Sequence, residues 1–232
     1  MRQKKILKVL AVCFSTVMLT QPVSAAALQQ SAQGSLGSVT EESQILPIPD
    51  GSGKYILKSS GFYCLNEDGT RENTPAVHYF DHFVIDGTVF DGYYYHDENG
   101  KFAAGNPHMV QIKNLSAPSE DGSGAEVSFD GCYMVNNLGK LSASPQVRYM
   151  DNLVVDKTTY NGLYYFDGYG KMITDPGIHY LNMNAAGQMF DGYYYFGGEN
   201  GVLVQEEGTT PEGFPVDETG KVETKDLGME GL

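Results

Sequence analysis

The chain has 232 residues, with 28 glycines, 16 tyrosines, 11 phenylalanines and no tryptophan, and its 29 acidic against 15 basic residues give a formal net charge of −14. That balance speaks against nucleic acid and against anionic lipids or polymers as electrostatic partners. It suits a neutral or cationic ligand, and three cysteines are too few for a disulfide scaffold at this length.

The first 25 residues read as an export signal. Arg2, Lys4, Lys5 and Lys8 form a basic start, Val9 to Leu19 is a largely apolar run too short to span a bilayer, and Val23-Ser24-Ala25 is a small-residue cleavage site, with Ala25-Ala26-Ala27 as an alternative. Cleavage near Ala25 removes four basic residues and no acidic ones, leaving 11 against 29 and a secreted or cell-surface chain. No later stretch is apolar enough for membrane insertion. Residues 26–46, rich in Ser, Gln, Gly and Thr, read as a flexible linker that cannot bury enough surface to offset its ordering entropy.

From Pro47 the chain repeats itself. FDGYYYHDENGKF at 90–102 returns as NGLYYFDGYGKM at 161–172 and DGYYYFGGENGVL at 191–203, with weaker copies at 60–71 and 130–141. Five units are marked by Gly61, Gly92, Gly131, Gly162 and Gly192. Self-similarity at this period signals a repeat architecture.

Each unit divides in two. The first half runs from the glycine through an aromatic run to Asp68-Gly69, Asn99-Gly100, Asn200-Gly201 or a variant, which tolerate the positive φ of a tight turn and predict a β-hairpin. The second half starts at Pro75, Pro145 or Pro176, ends at Phe90, Tyr160 or Phe190, and predicts another hairpin turning at Gly87 or Gly187. Pro107 to Phe129 is its irregular counterpart, and residues 116–124, SAPSEDGSG, read as a floppy inserted loop. Asp217 to Val222 echoes Asp97 to Phe102 as a degenerate C-terminal cap before an acidic tail at 223–232.

Helix signals are nearly absent, so the expected fold is all-β, an elongated solenoid of stacked β-hairpin repeats over 47–222 with flexible termini. A lone hairpin is marginal in water, whereas stacked hairpins bury one another's aromatic faces. An exposed hairpin at either end offers an edge for pairing into homodimers.

Tyr63, Tyr94, Tyr133, Tyr164 and Tyr194 hold one register position in all five units and are expected in the core. Their flanking neighbours point to the opposite face and vary. Tyr93, Tyr95, Tyr165, Tyr193 and Tyr195 are the candidate ligand-stacking rings there, with packing on the next hairpin as the alternative. Cys64 and Cys132 read as small apolar fillers rather than a disulfide. His78 and His179 share a position with Arg148 and read as solvated. No metal cluster, cofactor motif, phosphate loop or nucleophile motif stands out, and the acidic turns lack the alternation of a calcium loop. The chain is not expected to be an enzyme.

A glycine, an aromatic triplet, a few polar residues, Gly-Lys and an apolar residue together resemble the cell-wall-binding repeats of Gram-positive exported proteins. That family includes choline-binding modules, glucan-binding repeats and the carbohydrate-binding repeats of clostridial toxins. DGYYYHDENGKF and NGLYYFDGYGKM match it most closely. The family's paired cage tryptophans fall on Phe62, Tyr93, Cys132, Leu163 and Tyr193, and near Pro75, Asn106, Pro145 and Pro176. What the resemblance implies is a hairpin array that binds cell-wall or extracellular polysaccharide through exposed aromatics, without catalysis. A structural or protein-interaction rod with every ring in its core is the other reading.

Overall fold

The computed structural model describes residues 44–50, 52–102 and 108–223. The expected signal at 1–25, most of the linker, Asn106, Pro107 and all but the first residue of the tail lie outside the described residues. The fold is all-β and antiparallel, with no α-helix among the described residues, and hence no helix able to cross a membrane.

Three short strands open it: β1 (Gln44–Pro47), β2 (Tyr55–Lys58) and β3 (Phe62–Leu65), paired in that order. Strand β1 begins inside the segment read as a linker, and its Ile45 is buried. Four long hairpins follow: β4 (Ala76–Ile85) with β5 (Thr88–His96), β6 (His108–Pro118) with β7 (Glu126–Val135), β8 (Gln146–Val155) with β9 (Thr158–Phe166), and β10 (Gly177–Ala185) with β11 (Gln188–Phe196). A small pair, β12 (Gly208–Thr209) and β13 (Pro215–Val216), ends the fold.

Two expectations change here. The return strand of each proline-led hairpin does not stop at Phe90 or Phe190. It continues through the glycine into the aromatic run, so β5, β9 and β11 are single strands. The first half of a unit is therefore no separate hairpin. Beyond the Asp97–Gly100 turn only a bridge forms, His96 with Phe102, repeated as Phe166 with Met172 and Phe196 with Leu203. Secondly, the segment 116–124 is not a loop throughout, since its first three residues continue β6. Ser116, Ala117 and Pro118 pair with Ser128, Val127 and Glu126, and Ala117 is buried. The extra residues lengthen one hairpin at its tip.

The tips follow local stereochemistry. Asp86-Gly87, Asp156-Lys157 and Ala186-Gly187 all have positive φ at both positions, as the hairpin turn that matches strand twist requires. Three hairpins carry a bulge at which His82, Asn114 and Asn152 adopt positive φ, while β10–β11 pairs without interruption.

The clusters are ordered along the chain. Tyr94 packs with Phe62, Cys64 and Ile56 of the preceding sheet, while its neighbours Tyr93 and Tyr95 pack with Phe129, Tyr133 and Ile112 of the following hairpin. The pattern recurs with Cys132 and Met134 against Tyr160 and Tyr164, and with Leu163 and Val147 against Phe190 and Tyr194. Strand alternation is the cause: odd and even positions of one aromatic run serve two different neighbours. All five central tyrosines are buried, as expected. The central hydroxyl explains why the ring is Tyr and not Phe. It accepts a backbone N–H three residues earlier, from Asp91, Asp130, Asn161 and Asp191, at 3.2–3.4 Å.

A backbone seam joins successive units. The central tyrosine bridges the residue after the next unit's turn glycine: Tyr63 with Lys101, Tyr94 with Lys140, Tyr133 with Lys171, Tyr164 with Val202 and Tyr194 with Lys221. Around it, the N–H groups of Cys64, Tyr95, Met134 and Tyr195 donate to Gly100, Gly139, Gly170 and Gly220. The recurring glycine makes room for the incoming side chain. A Cβ at Gly131 would lie 2.9 Å from Lys171 Cε, and one at Gly192 2.7 Å from Lys221 Cε, with φ of +136° and +127°. Lysine thus lays its methylene stem across a glycine and keeps its ammonium at the edge.

The acidic turns are explained by backbone capture. Asp97 Oδ1 accepts the N–H groups of Asn99 and Lys101, and Asp167 Oδ1 those of Tyr169 and Lys171, all at 2.8–2.9 Å; Asn136 does the same for Leu138 and Lys140. Asp167→Ala is expected to cost about 1–3 kcal/mol, since two amides lose their acceptor. Asp167→Asn, which copies Asn136, should cost under about 0.5 kcal/mol. Urea unfolding midpoints check both, and equal losses would remove the capture argument.

Candidate functional site

The five candidate stacking rings do not share one environment. Tyr93, Tyr95 and Tyr195 are buried, 6–9% exposed, because they pack on the following unit. They are not the exposed rings that the sequence reading expected. Tyr165 and Tyr193 are half-buried. Burial pushes the Tyr93, Tyr95 and Tyr165 phenols above their ordinary range.

The rings that do reach solvent occupy a position the sequence reading passed over. Tyr79, Tyr149 and Tyr180 each follow the shared His/Arg position of β4, β8 and β10. Tyr149 and Tyr180 are 58% and 57% exposed, and Tyr79 is half-buried. Each faces the first flanking residue across its hairpin, so that Tyr79 meets Tyr93 at 5.1 Å and Tyr180 meets Tyr193 at 5.2 Å between ring centres. The recurrence of tyrosine four residues after Pro75, Pro145 and Pro176 was the available signal.

One cleft gathers these features. It has a volume of about 510 Å³ and is lined by Tyr79, Tyr93, Tyr169, Asp91, Glu120 and Lys140. Tyr169, on the turn after β9, stands edge-on to Tyr93 at 6.3 Å and is 47% exposed. The Tyr93 hydroxyl donates to the Pro118 carbonyl at 3.2 Å, which fixes the ring against the long hairpin. Three phenol rings, two carboxylates and one ammonium around an open groove offer stacking faces and hydrogen-bond partners for a neutral polyhydroxylated ligand. A larger cleft, about 770 Å³, has Tyr95 as its one tyrosine, among apolar residues such as Met109, Ile112 and Val155 and charged ones such as Lys101, Lys113 and Asp156, the last two paired at 2.5 Å.

A second assembly sits between the first sheet and β4–β5. His78 is buried, not solvated: the loop carrying Asp50 covers it, and Asp50 Oδ2 lies 2.6 Å from its Nδ1. Arg148, in the same repeat position, has no such cover and is exposed. Cys64 Sγ lies 3.9 Å from His78 Nε2, and the His96 ring stacks on His78 at 5.2 Å. Burial would push the Asp50 carboxyl up, but its bonds to His78 and Ser52 prevail and hold it at about 2. Cys64 and Cys132 are free, buried thiols. The sequence reading found no Cys/His cluster because these three residues lie in three different strands.

No protein-family profile matches the chain, and no curated protein or solved structure matches it either.

Proposed function

We propose that the chain is an exported, non-catalytic repeat protein whose hairpins stack into an elongated solenoid and bind cell-wall or extracellular polysaccharide. The observation that carries this reading is the cleft in which Tyr79, Tyr93 and Tyr169 converge with Asp91, Glu120 and Lys140. Sugar rings present an apolar face that stacks on a phenol and hydroxyls that bond to carboxylates and amines. The exposed Tyr149 and Tyr180 supply further rings at the repeat position of Tyr79, so affinity arises from several weak contacts in series. Export rests on the basic, apolar and small-residue order of residues 1–25. The stacking itself is supported by the alternating clusters and the recurring seam.

A second reading is a protein-interaction rod or spacer. The burial of Tyr93, Tyr95 and Tyr195 favours it, because those rings already serve as core.

The test is retention of residues 26–232 on purified cell walls with and without teichoic acid, and on insoluble glucans, at two salt concentrations. Retention on one polymer, insensitive to salt, is expected. A ring contact is worth about 0.5–1.5 kcal/mol. Tyr169→Ala and Tyr180→Ala should therefore each weaken binding by roughly two- to tenfold, and their pair by the product. Both substitutions are at exposed rings and leave the core intact. No retention on any polymer would leave the rod.

A further inference from the structure

We propose that Cys64, His78 and His96 form a binding site for a thiophilic cation, Zn²⁺ in the first instance, with Asp50 as the outer partner that orients His78. The three donors come from β3, β4 and β5, and one ligand atom from each lies within 4.8 Å of the other two. All three side chains are buried, at 0, 4 and 0% exposure. A tetrahedral zinc ion holds S and N ligands roughly 3.5 Å apart, given its bond lengths. The 3.9 Å between Cys64 Sγ and His78 Nε2 needs to close by only a few tenths of an ångström.

The nitrogens are assigned by their partners. His78 Nδ1 is held by Asp50, and His96 Nδ1 lies 3.1 Å from the Asp97 carbonyl. Each ring is thus oriented by an acceptor on one nitrogen, which is the outer arrangement that metal-bound imidazoles use. That leaves Nε2 of each ring as the ligand atom. His96 Nε2 is buried and has no hydrogen-bond partner. An unsatisfied polar atom in an apolar interior is costly, and a cation at this point satisfies it. The cation has to displace the Cys64 thiol proton, as in other thiolate sites. One thiolate and the Asp50 carboxylate then balance a divalent charge. Phe80 and Phe102, packed on the His78 ring, close the site from water.

The repeat supplies its own comparison. At the seam between β9 and β10 the equivalent positions are Tyr165, His179 and Phe196, which pack as aromatics and offer one imidazole alone. At the first seam two of these three positions are instead further donors. The site joins the opening sheet to the first long hairpin.

The experiment is a titration of the metal-free, reduced full chain with Co²⁺ alone, followed by displacement with Zn²⁺. A thiolate-to-cobalt charge-transfer band saturating at one equivalent and erased by Zn²⁺ is expected. Cys13→Ser, Cys132→Ser and His179→Gln keep the band, Cys64→Ser abolishes it, and Asp50→Asn weakens Co²⁺ binding about 10–100-fold. Zn²⁺ should also raise the melting temperature of the wild type and not of Cys64→Ser. Absence of the band in the wild-type chain overturns the proposal, as does its persistence in Cys64→Ser. Should Cys64→Ser fail to fold, the wild-type band and the Asp50→Asn shift still decide.

Discussion

Phe90→Ala is expected to destabilise the protein by about 3–5 kcal/mol, the cost of emptying a large buried ring site that cannot collapse. Phe90 is fully buried and meets five rings: Phe62, Phe80, Phe83, Tyr94 and Phe102, with centres 4.8–6.2 Å away. One of those contacts, with Phe62, faces the preceding sheet and four lie on its own hairpin or its continuation, so the ring ties that hairpin to the first seam. The damage should be local, because the hydrophobic clusters form mainly between adjacent units. Hydrogen exchange is expected to rise in β1–β3 and stay protected in β10–β11. Guanidinium unfolding gives the magnitude. A loss below about 1.5 kcal/mol, or uniform deprotection of all hairpins, would show that the seam is not an independent energetic unit.

Gly201→Ala and Gly87→Ala form a matched pair with unequal outcomes. Both glycines have left-handed φ, +79° and +70°. A Cβ at Gly201 would stand 2.3 Å from the Ile173 carbonyl oxygen and 2.7 Å from Thr174 Cα, both backbone atoms of the preceding unit. At Gly87, on a hairpin tip, nothing lies within 4 Å. The left-handed conformation costs a non-glycine residue about 1–2 kcal/mol, and forcing packed backbone apart about 1–3 kcal/mol more. Gly87→Ala should therefore cost about 1–2 kcal/mol and Gly201→Ala about 2–5 kcal/mol. The chain already tolerates Ala186 and Lys157 at positive φ on other tips. Thermal melts of the two variants decide, and equal losses would mean that close approach at the seam contributes nothing.

Much of this was legible because it rests on period-two alternation and turn chemistry, which act within a few residues. The central tyrosines, the Asn-Gly turns and the Asp86-Gly87 and Ala186-Gly187 tips needed only local rules. The continuity of β5 through Gly92 was not legible. A glycine usually breaks a strand, yet this one stays paired with Phe80 while it clears space for Lys140, a residue supplied by the next unit. Tyr93 shows the same gap. Alternation put it on the face opposite Tyr94, but only the fold shows that a further hairpin covers that face. His78 is the extreme case: its repeat position accepts Arg148, and its burial comes from the Asp50 loop, which no other unit possesses. The donors Cys64, His78 and His96 became neighbours through pairing between units, which leaves no spacing motif in the sequence.

The seams are formed at the bases of the hairpins, and the tips lie away from them. Tyr94 therefore still meets Lys140 although the β6–β7 hairpin between them is longer than its sisters. This sets what heredity can do with such a chain. A duplication or excision that begins and ends at the same point of two units carries one tyrosine and one Gly-Lys with it, so every remaining pair stays in step, and lineages can drift in length by whole units. Insertions at a tip are likewise silent to the seams. A single codon gained between the aromatic run and its turn glycine is not, because it puts that unit out of phase with the one before it. Variation in such lineages is expected to collect in unit number and tip length, and to spare the short stretch from Gly92 to Phe102 and its copies.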